Sequence, residues 1–442
     1  MTKPVPQRCV LVLPSTGEFD SRTYRIASTL ADRGHAVTVI ARCAPGLPAD
    51  ERHPAGYRIV RVPVSAVDGL PRPFRGLVRR LRRRPDGSAS TPSPGRVVTP
   101  ARRPDPGVVG RFRRAIEATV RLAAIGLTVR SQRIATGRVA PTSDLVHAMA
   151  YMGIPVGLAL GRRDRAPVVY DARDIYVDAA NIARMPSLAR RQFGRVERRW
   201  ARQASRVITV NEPYAEVMAE RFGVTAPLVV MNCSYRQAST GPRPRRLRDR
   251  LGLGPDVPII LYHGGLARDR GIEQLIESLP AIPAAMLVLL GYGPLQAELE
   301  ARAADPALGG RLAVLPAVPP TELLDWVGSA DVVAMPIQPT TLNHRLTTPN
   351  KLFEAMAAGV PVVASDLPGM AGIVRETGCG VLVDPTDPSA IAAAIRGLLA
   401  LSAADREAIG RRGREAHLAR YNWEGQVGSL LDEYGRLTGR PW

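Results

Sequence analysis

The feature that most constrains the fold of this chain is a regular alternation of short apolar runs with stretches of helical periodicity. Each apolar run is long enough for one buried strand, and a sequence with the spacing of a helix follows it. Such an alternation predicts a parallel sheet whose crossovers are right-handed. In the first half of the chain the predicted strands are residues 8–15, 36–42, 57–64, 144–150, 167–173 and 206–211.

A second series of the same kind begins after residues 241–258, whose proline, glycine and arginine content is typical of an interdomain linker. A chain of 442 residues is long enough for two domains. The sequence therefore predicts an α/β protein with two doubly wound domains, whose ligands bind beyond the carboxyl ends of the strands. The predicted strands of the second series are residues 259–265, 285–291, 312–318, 331–337, 360–366 and 380–385.

The positive charge of the chain is concentrated in one segment. The formal net charge is +20, and residues 72–138 contain 17 arginines against only three acidic residues. This segment opens with a basic stretch rich in serine, proline and glycine that is typical of a loop. A helix is then predicted over residues 110–133. Its predicted apolar face consists of Phe112, Ile116, Val120, Ala123, Ala124 and Leu127.

Two interpretations of this basic segment remain open. A basic amphipathic helix suits an anionic membrane surface, where each basic side chain adds about 1 kcal/mol of attraction. Alternatively, the arginines reflect a GC-rich genome, and their aliphatic stems cover the protein's own domain. Nucleic acid is not an expected partner, because aromatic residues are not interleaved with the arginines.

Other sequence features favour a cytoplasmic protein. The chain has no run of about 18 uncharged apolar residues, so a membrane-spanning helix is not expected. Its N-terminus lacks the pattern of a signal peptide. The four cysteines, at positions 9, 43, 233 and 379, are scattered, which argues against disulfides and structural zinc. We therefore expect a cytoplasmic location, with the inner face of the cell membrane as a candidate place of peripheral association.

Lysine is rare in this chain, and one of its two lysines occupies a position with a predicted function. Of the 60 lysine and arginine residues, only Lys3 and Lys351 are lysines. Pro349 and Gly359 bound a predicted helix in which Lys351 and Glu354 share a face. Free amides at the start of such a helix bind anions, and a lysine side chain can follow a phosphate oxygen. A plain surface ion pair between these two side chains is the alternative.

Six segments, in the right order along the chain, resemble the retaining glycosyltransferases of family 4, which have the GT-B fold. Residues 349–369, PNKLFEAMAAGVPVVASDLPG, resemble the donor-site motif of that family. The resemblance extends over nearly the whole chain. The other similar segments are residues 15–41 (opening loop and first helix), 261–279 (phosphate loop), 289–300 (nucleotide-base loop), 329–337 (a later strand) and 421–434 (C-terminal helix).

The resemblance implies two Rossmann-like domains that face a central cleft. Residues 1–240 would bind the acceptor and would include the basic insertion at about 72–138. Residues 250–415 would bind the donor, and residues 416–442 would form a helix that crosses back to the first domain. The implied reaction transfers a hexosyl or N-acetylhexosaminyl group from a nucleotide-diphosphate sugar, such as a UDP-sugar, to an acceptor hydroxyl with retention. No metal or other cofactor is implied.

The implied acceptor is a glycan, a lipid-linked glycan or a small molecule, and the implied context is cell-envelope polysaccharide or glycolipid synthesis. The resemblance assigns Glu354 to the donor ribose. His147, at the end of a predicted strand, is a candidate contact of the transferred sugar, with a core histidine as the alternative. Arg173 and Asp174 are candidates to orient the acceptor or to take its proton. The other candidate donor-binding residues are Gly17, Gly264, Gly265, Arg268, Arg270, Gly291, Tyr292, Thr348, Asn350, Lys351 and Leu352.

The chain departs from the family pattern at two places. The family often has a second glutamate eight positions before Glu354, where this chain has Leu346. The phosphate loop has Gly265 where the family often has arginine, and Arg270 where it often has lysine. We therefore expect Lys351 to supply the charge that Gly265 cannot.

Alternative functions from other classes remain. A sugar-nucleotide epimerase has the same two-domain fold, and a natural-product glycosyltransferase would differ in its acceptor only. A non-enzymatic sensor of sugar nucleotides also fits the motifs. A dinucleotide-dependent oxidoreductase is disfavoured because PSTGEF, after the first strand, has a single glycine. The spacing of Asp171 and Asp174 does not resemble a metal site.

Overall fold

The computed structural model describes residues 6–18, 20–70, 107–237 and 243–442. The chain divides into two compact units. The first unit consists of Met1–Ile208, Met218–Pro227 and Tyr434–Trp442, and the second consists of Thr209–Val217 and Leu228–Glu433. Each unit is built on a sheet with helices between its strands.

The sheet of the first unit is doubly wound. Its strands β1 to β7 lie in the order β3-β4-β2-β1-β5-β6-β7, and all of these neighbours are parallel except β3 and β4. The strand order reverses between β1 and β5, which makes the carboxyl ends of these two strands the expected place for a ligand. The strands are β1 (Arg8–Val12), β2 (Ala36–Arg42), β3 (Asp50–Arg52), β4 (Arg58–Val62), β5 (Leu145–Met149), β6 (Val168–Asp171) and β7 (Arg206–Thr209).

The second unit has a six-stranded sheet in which every neighbour is parallel. The strand order is β11-β10-β9-β12-β13-β14, so the direction of winding reverses between β9 and β12. Leu261 and Tyr262, adjacent on β9, belong to different buried clusters, as expected for a sheet that is covered on both faces. The strands are β9 (Ile259–Gly265), β10 (Met286–Tyr292), β11 (Leu312–Leu315), β12 (Val332–Met335), β13 (Val362–Ser365) and β14 (Gly380–Val383); a two-residue strand, β8 (Leu228–Val229), precedes them in the chain.

Helices connect the strands. In the first part of the chain they are α1 (Ser21–Asp32), α2 (Gly107–Val139), α3 (Ala150–Asp164), α4 (Ala180–Ala183), α5 (Ser187–Ala201) and α6 (Glu212–Phe222). The later helices are α7 (Arg246–Leu251), α8 (Ile272–Ser278), α9 (Gln296–Ala303), α10 (Leu323–Gly328), α11 (Leu342–Leu346), α12 (Asn350–Ala358), α13 (Pro368–Thr377), α14 (Pro388–Ala400), α15 (Ala403–Ala419) and α16 (Trp423–Thr438). Short 3₁₀ turns lie at Tyr176–Asp178, Leu279–Ala281 and Pro306–Leu308.

All twelve predicted strands form, and the parallel arrangement is confirmed. The sequence analysis missed β3 and β8. Strand β3 has the sequence Asp-Glu-Arg, and it pairs with β4 at the edge of the sheet. A charged edge strand has no apolar run by which the sequence could have revealed it.

The helix in the basic segment forms, but its predicted apolar face is wrong at Val120 and Ala123, whereas Ala124 and Leu127 are half-buried. Helix α2 is longer than predicted, and Val120 on the predicted face is 61% exposed. The buried face instead carries Ala118, Val129, Gln132 and Thr136. Gln132 donates its Nε2 hydrogen to the carbonyl of Leu13, at 2.6 Å. The polar side chain of Gln132 therefore faces inward, because it is anchored to the end of β1. A prediction based on hydropathy alone could not show this.

Most of the basic insertion, and the side chains of Phe112 and Ile116, lie outside the described residues. Among the residues that are described, we find no helix that is both long enough and apolar enough to cross a membrane.

Candidate functional site

The loop after β9 is built on glycines that no other residue could replace. Gly271 has φ +79°, and a Cβ added there would lie 1.9 Å from the carbonyl oxygen of Pro336. A Cβ at Gly291, on the neighbouring strand, would lie 1.9 Å from the carbonyl oxygen of Gly264. Gly264 itself has φ +108°. The backbones of β9 and β10 therefore approach closely at their carboxyl ends, where the exposed Gly264 and Gly265 leave room for a ligand.

Lys351 lies beside this loop. Helix α12 begins directly after Pro349 and ends at Gly359, whose φ of +69° stops the helix. The Lys351 side chain is 9% exposed, and its Nζ lies 3.6 Å from the centroid of the Tyr262 ring. A Cβ at Gly264 would be 3.9 Å from the same Nζ. The first turn of α12 therefore brings an ammonium group to the backbone of the glycine loop.

The surroundings of Lys351 favour its binding to an anion. Burial lowers the pKa of Lys351 well below its usual range, the positive charge of Arg270 acts in the same direction, and Glu354 opposes both. The charged form of this lysine is therefore costly in the absence of a ligand. A bound phosphate would stabilise the charged form of Lys351. The amides at the start of α12 would in turn stabilise the phosphate.

Glu354 is held by a histidine. The Nε2 of His263 donates to a carboxylate oxygen of Glu354 at 2.8 Å, and the two side chains are 2% and 14% exposed. Lys351 is buried as well, and the charge of Glu354 raises its pKa, so these two side chains interact away from the surface; an ion pair between them stays the alternative. His263 Nδ1 is buried and has no hydrogen-bond partner within the described ranges. The sequence analysis missed Tyr262 and His263; the signal was their place at the end of a strand, directly before Gly264.

Three of the other candidate donor-binding residues are exposed. The Arg268 side chain is 65% exposed and pairs with Glu298 at 3.2 Å. Tyr292, at the end of β10, is also exposed. Gly265 is exposed beside Gly264, and Arg270 is partly buried. These residues form the solvent side of the loop around Lys351.

Three further candidates have contacts within the protein. The hydroxyl of Thr348 donates to the carbonyl of Gly369 and accepts from Asn211 Nδ2. Leu352 belongs to the buried core of the second unit. Asn350 Oδ1 accepts a hydrogen bond from Asn232 at 3.0 Å. The contacts of Thr348 and Leu352 stabilise the start of α12. A direct contact of either residue with the donor stays a prediction.

His147 is part of a buried charge cluster in the first unit. Its Nε2 donates to Asp171 Oδ2 at 3.1 Å, and its Nδ1 accepts from the Tyr434 hydroxyl. Arg22, on α1, donates its Nε hydrogen to the same Asp171 oxygen at 2.6 Å. Arg22 is 1% exposed, and His147 and Asp171 are not exposed at all.

The cluster has a definite state of protonation. Burial by itself would raise the pKa of Asp171, but the charge of Arg22 and the bond from His147 hold it well below its usual range. Burial lowers the pKa of His147, so the neutral imidazole with its proton on Nε2 fits both of its contacts. With both ring nitrogens engaged, the geometry favours the alternative of a core histidine. The catalytic role of His147 stays a prediction.

Arg173 and Asp174 follow β6, as the sequence indicated. Arg173 Nη1 contacts both carboxylate oxygens of Asp20 at 2.8 Å. Burial by itself would lower the pKa of Arg173, but Asp20 raises it, so the guanidinium stays charged. Asp20 also caps α1 by accepting from the Thr23 amide at 3.0 Å. Gly17, with φ +86°, lies in the loop after β1 in the same unit.

A second buried carboxyl group of the first unit, that of Glu197 on α5, differs from Asp171 in its protonation. It is 3% exposed and accepts a hydrogen bond from the Tyr170 hydroxyl at 2.7 Å. Burial raises the pKa of Glu197 to about 7, against the opposing effects of Tyr170 and Arg221.

Glu197→Gln is expected to stabilise the protein above pH 7. In the native state Glu197 keeps its proton up to about pH 7, whereas in the unfolded chain it loses the proton near its ordinary pKa of 4.5. The native state therefore binds more protons in this window, and the stability of the wild type falls as the pH rises through it. Glutamine does not titrate and still accepts from Tyr170. The gain in free energy of unfolding should be near zero at pH 4 and about 3 kcal/mol at pH 8 in urea titrations; an equal gain at both pH values would contradict the assignment.

Two family descriptions match this chain. Residues 257–401 match the sequence model of the glycosyl transferases group 1, and residues 19–233 match that of the glycosyl transferase 4-like domain. Together these matches include every predicted site residue except Gly17.

Curated relatives are similar over part of their length. A D-inositol 3-phosphate glycosyltransferase of Xylanimonas cellulosilytica is 36% identical over 199 residues, which are 44% of this chain and 46% of the relative. A GDP-mannose-dependent alpha-(1-6)-phosphatidylinositol monomannoside mannosyltransferase of Mycolicibacterium smegmatis is 31% identical over 252 residues, which are 55% of this chain and 64% of the relative. The chain thus spans between about half and two thirds of the length of these relatives.

Two of the similar solved structures share the fold over nearly their whole length. Sucrose-phosphate synthase from Thermosynechococcus elongatus has a TM-score of 0.69 at 21% identity, over 98% of this chain and 99% of that one. Anabaena HepE in complex with UDP-glucose has a TM-score of 0.62 at 18% identity, over 98% of this chain and 100% of that one. Taken with the two family matches and the parallel sheets, these similarities show that the chain belongs to the group 1 glycosyltransferases of family 4 and has the GT-B fold.

Proposed function

We propose that this chain transfers a glycosyl group from a nucleoside diphosphate sugar to an acceptor hydroxyl. The observation that carries the proposal is the buried amino group of Lys351, which lies at the start of α12 beside Gly264 and near Arg270. Helix amides and two cations converge on one loop, which is the arrangement that a diphosphate needs. Neighbours with the same fold were solved with UDP and with UDP-glucose, which supports a nucleotide-sugar donor.

The proposed chemistry depends on the departing diphosphate. Negative charge develops on it as the glycosidic bond breaks, and groups placed in advance stabilise that charge. Lys351, Arg270 and the α12 amides are proposed to do so without a metal ion. Glu354, oriented by His263, is proposed to accept hydrogen bonds from the ribose hydroxyls.

The proposed acceptor belongs to glycolipid or cell-envelope glycan synthesis, and the proposed location is the cytoplasm, at the inner membrane face. Two observations support it. Curated relatives are named for inositol 3-phosphate and for phosphatidylinositol monomannoside. The fold neighbour WaaG is described as involved in lipopolysaccharide biosynthesis. Transfer with retention is part of the proposal.

Product analysis with labelled donors tests this function. The purified chain is incubated with UDP- and GDP-sugars, first alone and then with inositol phosphate, phosphatidylinositol or a lipid extract. Transfer to an acceptor, with the anomeric configuration of the donor preserved by NMR, is the expected result. A changed sugar nucleotide without any acceptor would instead identify an epimerase, and an inverted product would refute retention.

A further inference from the structure

A cavity of about 370 Å³ lies in the first unit, between the turn after β6 and helices α5 and α6. None of its lining residues is among the candidate donor-binding residues, and all of them belong to the first unit. Its apolar lining includes Ile175, Met218 and Phe222. Five arginines also line it: Arg190, Arg191, Arg195, Arg198 and Arg221.

Two of these arginines have hydrogen-bond donors without partners. Asp178 pairs with one nitrogen of each, with Arg190 Nη2 at 2.5 Å and with Arg221 Nη2 at 2.8 Å. Arg190 Nε, Arg221 Nη1 and Asp178 Oδ2 are buried and have no hydrogen-bond partner in the part of the chain that the structure describes. A buried donor without a partner costs free energy, and both arginines belong to residues that line the cavity, so an acceptor group of a bound ligand would stabilise them.

The charge of the cavity is positive. Five arginines and one acidic residue line it, and that acidic residue, Glu197, is partly protonated near neutral pH because burial raises its pKa to about 7. Asp178 neutralises part of the charge of Arg190 and Arg221. Guanidinium groups match the geometry of phosphate oxygens, and the apolar lining favours a ligand that also has a hydrocarbon part.

We propose that this cavity binds a phosphate ester that carries a short apolar group, with the phosphate at Arg190 and Arg221 and the apolar group against Ile175, Met218 and Phe222. A phosphate ester of this kind occurs both in soluble phosphorylated compounds and in the headgroups of lipids. The inference does not rest on the proposed glycosyl transfer, because none of the residues that would bind the donor diphosphate takes part in it.

Isothermal titration calorimetry with hexyl phosphate and with inorganic phosphate tests the site. The wild type should bind hexyl phosphate at least ten times more tightly than inorganic phosphate. Ser187, an exposed residue at the start of α5, lines the cavity. Ser187→Trp should block the cavity and weaken binding of hexyl phosphate at least tenfold without removing any charge. Leu188→Trp is the matched control, since Leu188 is 72% exposed and does not line the cavity.

A second pair of variants tests the phosphate contacts. Arg221→Met should weaken binding of hexyl phosphate at least tenfold, whereas Arg184→Met, at an exposed position outside the cavity, should leave it unchanged. Melting temperatures of the free variants show that each is folded. Equal binding by Ser187→Trp and Leu188→Trp would overturn the proposal, as would an absence of binding by the wild type.

Vesicles then identify the source of the phosphate. One outcome is that the wild type and Leu188→Trp co-sediment with phosphatidic acid vesicles while Ser187→Trp does not. That result would assign the cavity to a lipid headgroup. Hexyl phosphate binding without vesicle binding would assign it to a soluble phosphorylated compound.

Discussion

Lys351→Ala is expected to weaken binding of the cognate nucleoside diphosphate by roughly 10- to 100-fold, because a charged hydrogen bond to phosphate contributes about 1.5–3 kcal/mol. The side chain lies beside Gly264, and no second lysine exists in the second unit to replace it. Titration calorimetry with UDP, GDP, ADP and TDP, in the presence of EDTA, measures the loss and identifies the base. Arg302→Ala, which removes an exposed cation on α9, is the matched control and should bind as the wild type does.

The affinity for the nucleoside diphosphate is also expected to depend on pH. Burial lowers the pKa of Lys351 in the free protein, and a bound diphosphate raises it again. Binding therefore takes up a proton whenever the pH is above the pKa of the free protein, and the affinity should fall as the pH rises. Lys351→Ala should lose this dependence. Lys351→Arg keeps the charge but is planar and larger, so full affinity in that variant would show that charge alone suffices.

Asp171→Asn is expected to lower the free energy of unfolding by about 3–5 kcal/mol, because it leaves the guanidinium of Arg22 buried without a countercharge. Urea unfolding followed by circular dichroism measures the change. The matched control is Asp144→Asn, which breaks an ion pair with the exposed Arg8 in the same unit. That change should cost about 1 kcal/mol or less.

A double variant separates the charge from the packing. Arg22→Met combined with Asp171→Leu removes both charges of the pair, so it should be less destabilised than Asp171→Asn alone. Equal losses in Asp171→Asn and Asp144→Asn would show that the cluster around His147 is not a buried charge pair of the kind described.

The predicted strands were recovered because each one is a local pattern. A buried parallel strand is a short apolar run, and the helix after it has a period of 3.6 residues, so both are visible without knowledge of their neighbours. Helix α12 was visible for the same reason, since Pro349 and Gly359 mark its ends. The charged edge strand β3 lacks such a pattern and was missed.

The partners of the site residues were not visible in the sequence. The pairing of Glu354 with His263 joins residues 91 positions apart, and the contact of Asp171 with Arg22 joins residues 149 apart. The inward face of α2 was misassigned because Gln132 is anchored by the carbonyl of Leu13, which is 119 positions away. Local periodicity contains no information about such pairs.

The sequence by itself determined the two doubly wound sheets, the helix that presents Lys351 and Glu354, and the family to which the chain belongs. Only the tertiary structure decided that Lys351 is buried beside Gly264, that Glu354 is held by His263, and that His147 lies in a closed charge cluster. The physical reason is that strands and helices form from the order of residues along the chain. Burial, pKa and hydrogen-bond partners depend instead on which distant segments the fold brings together.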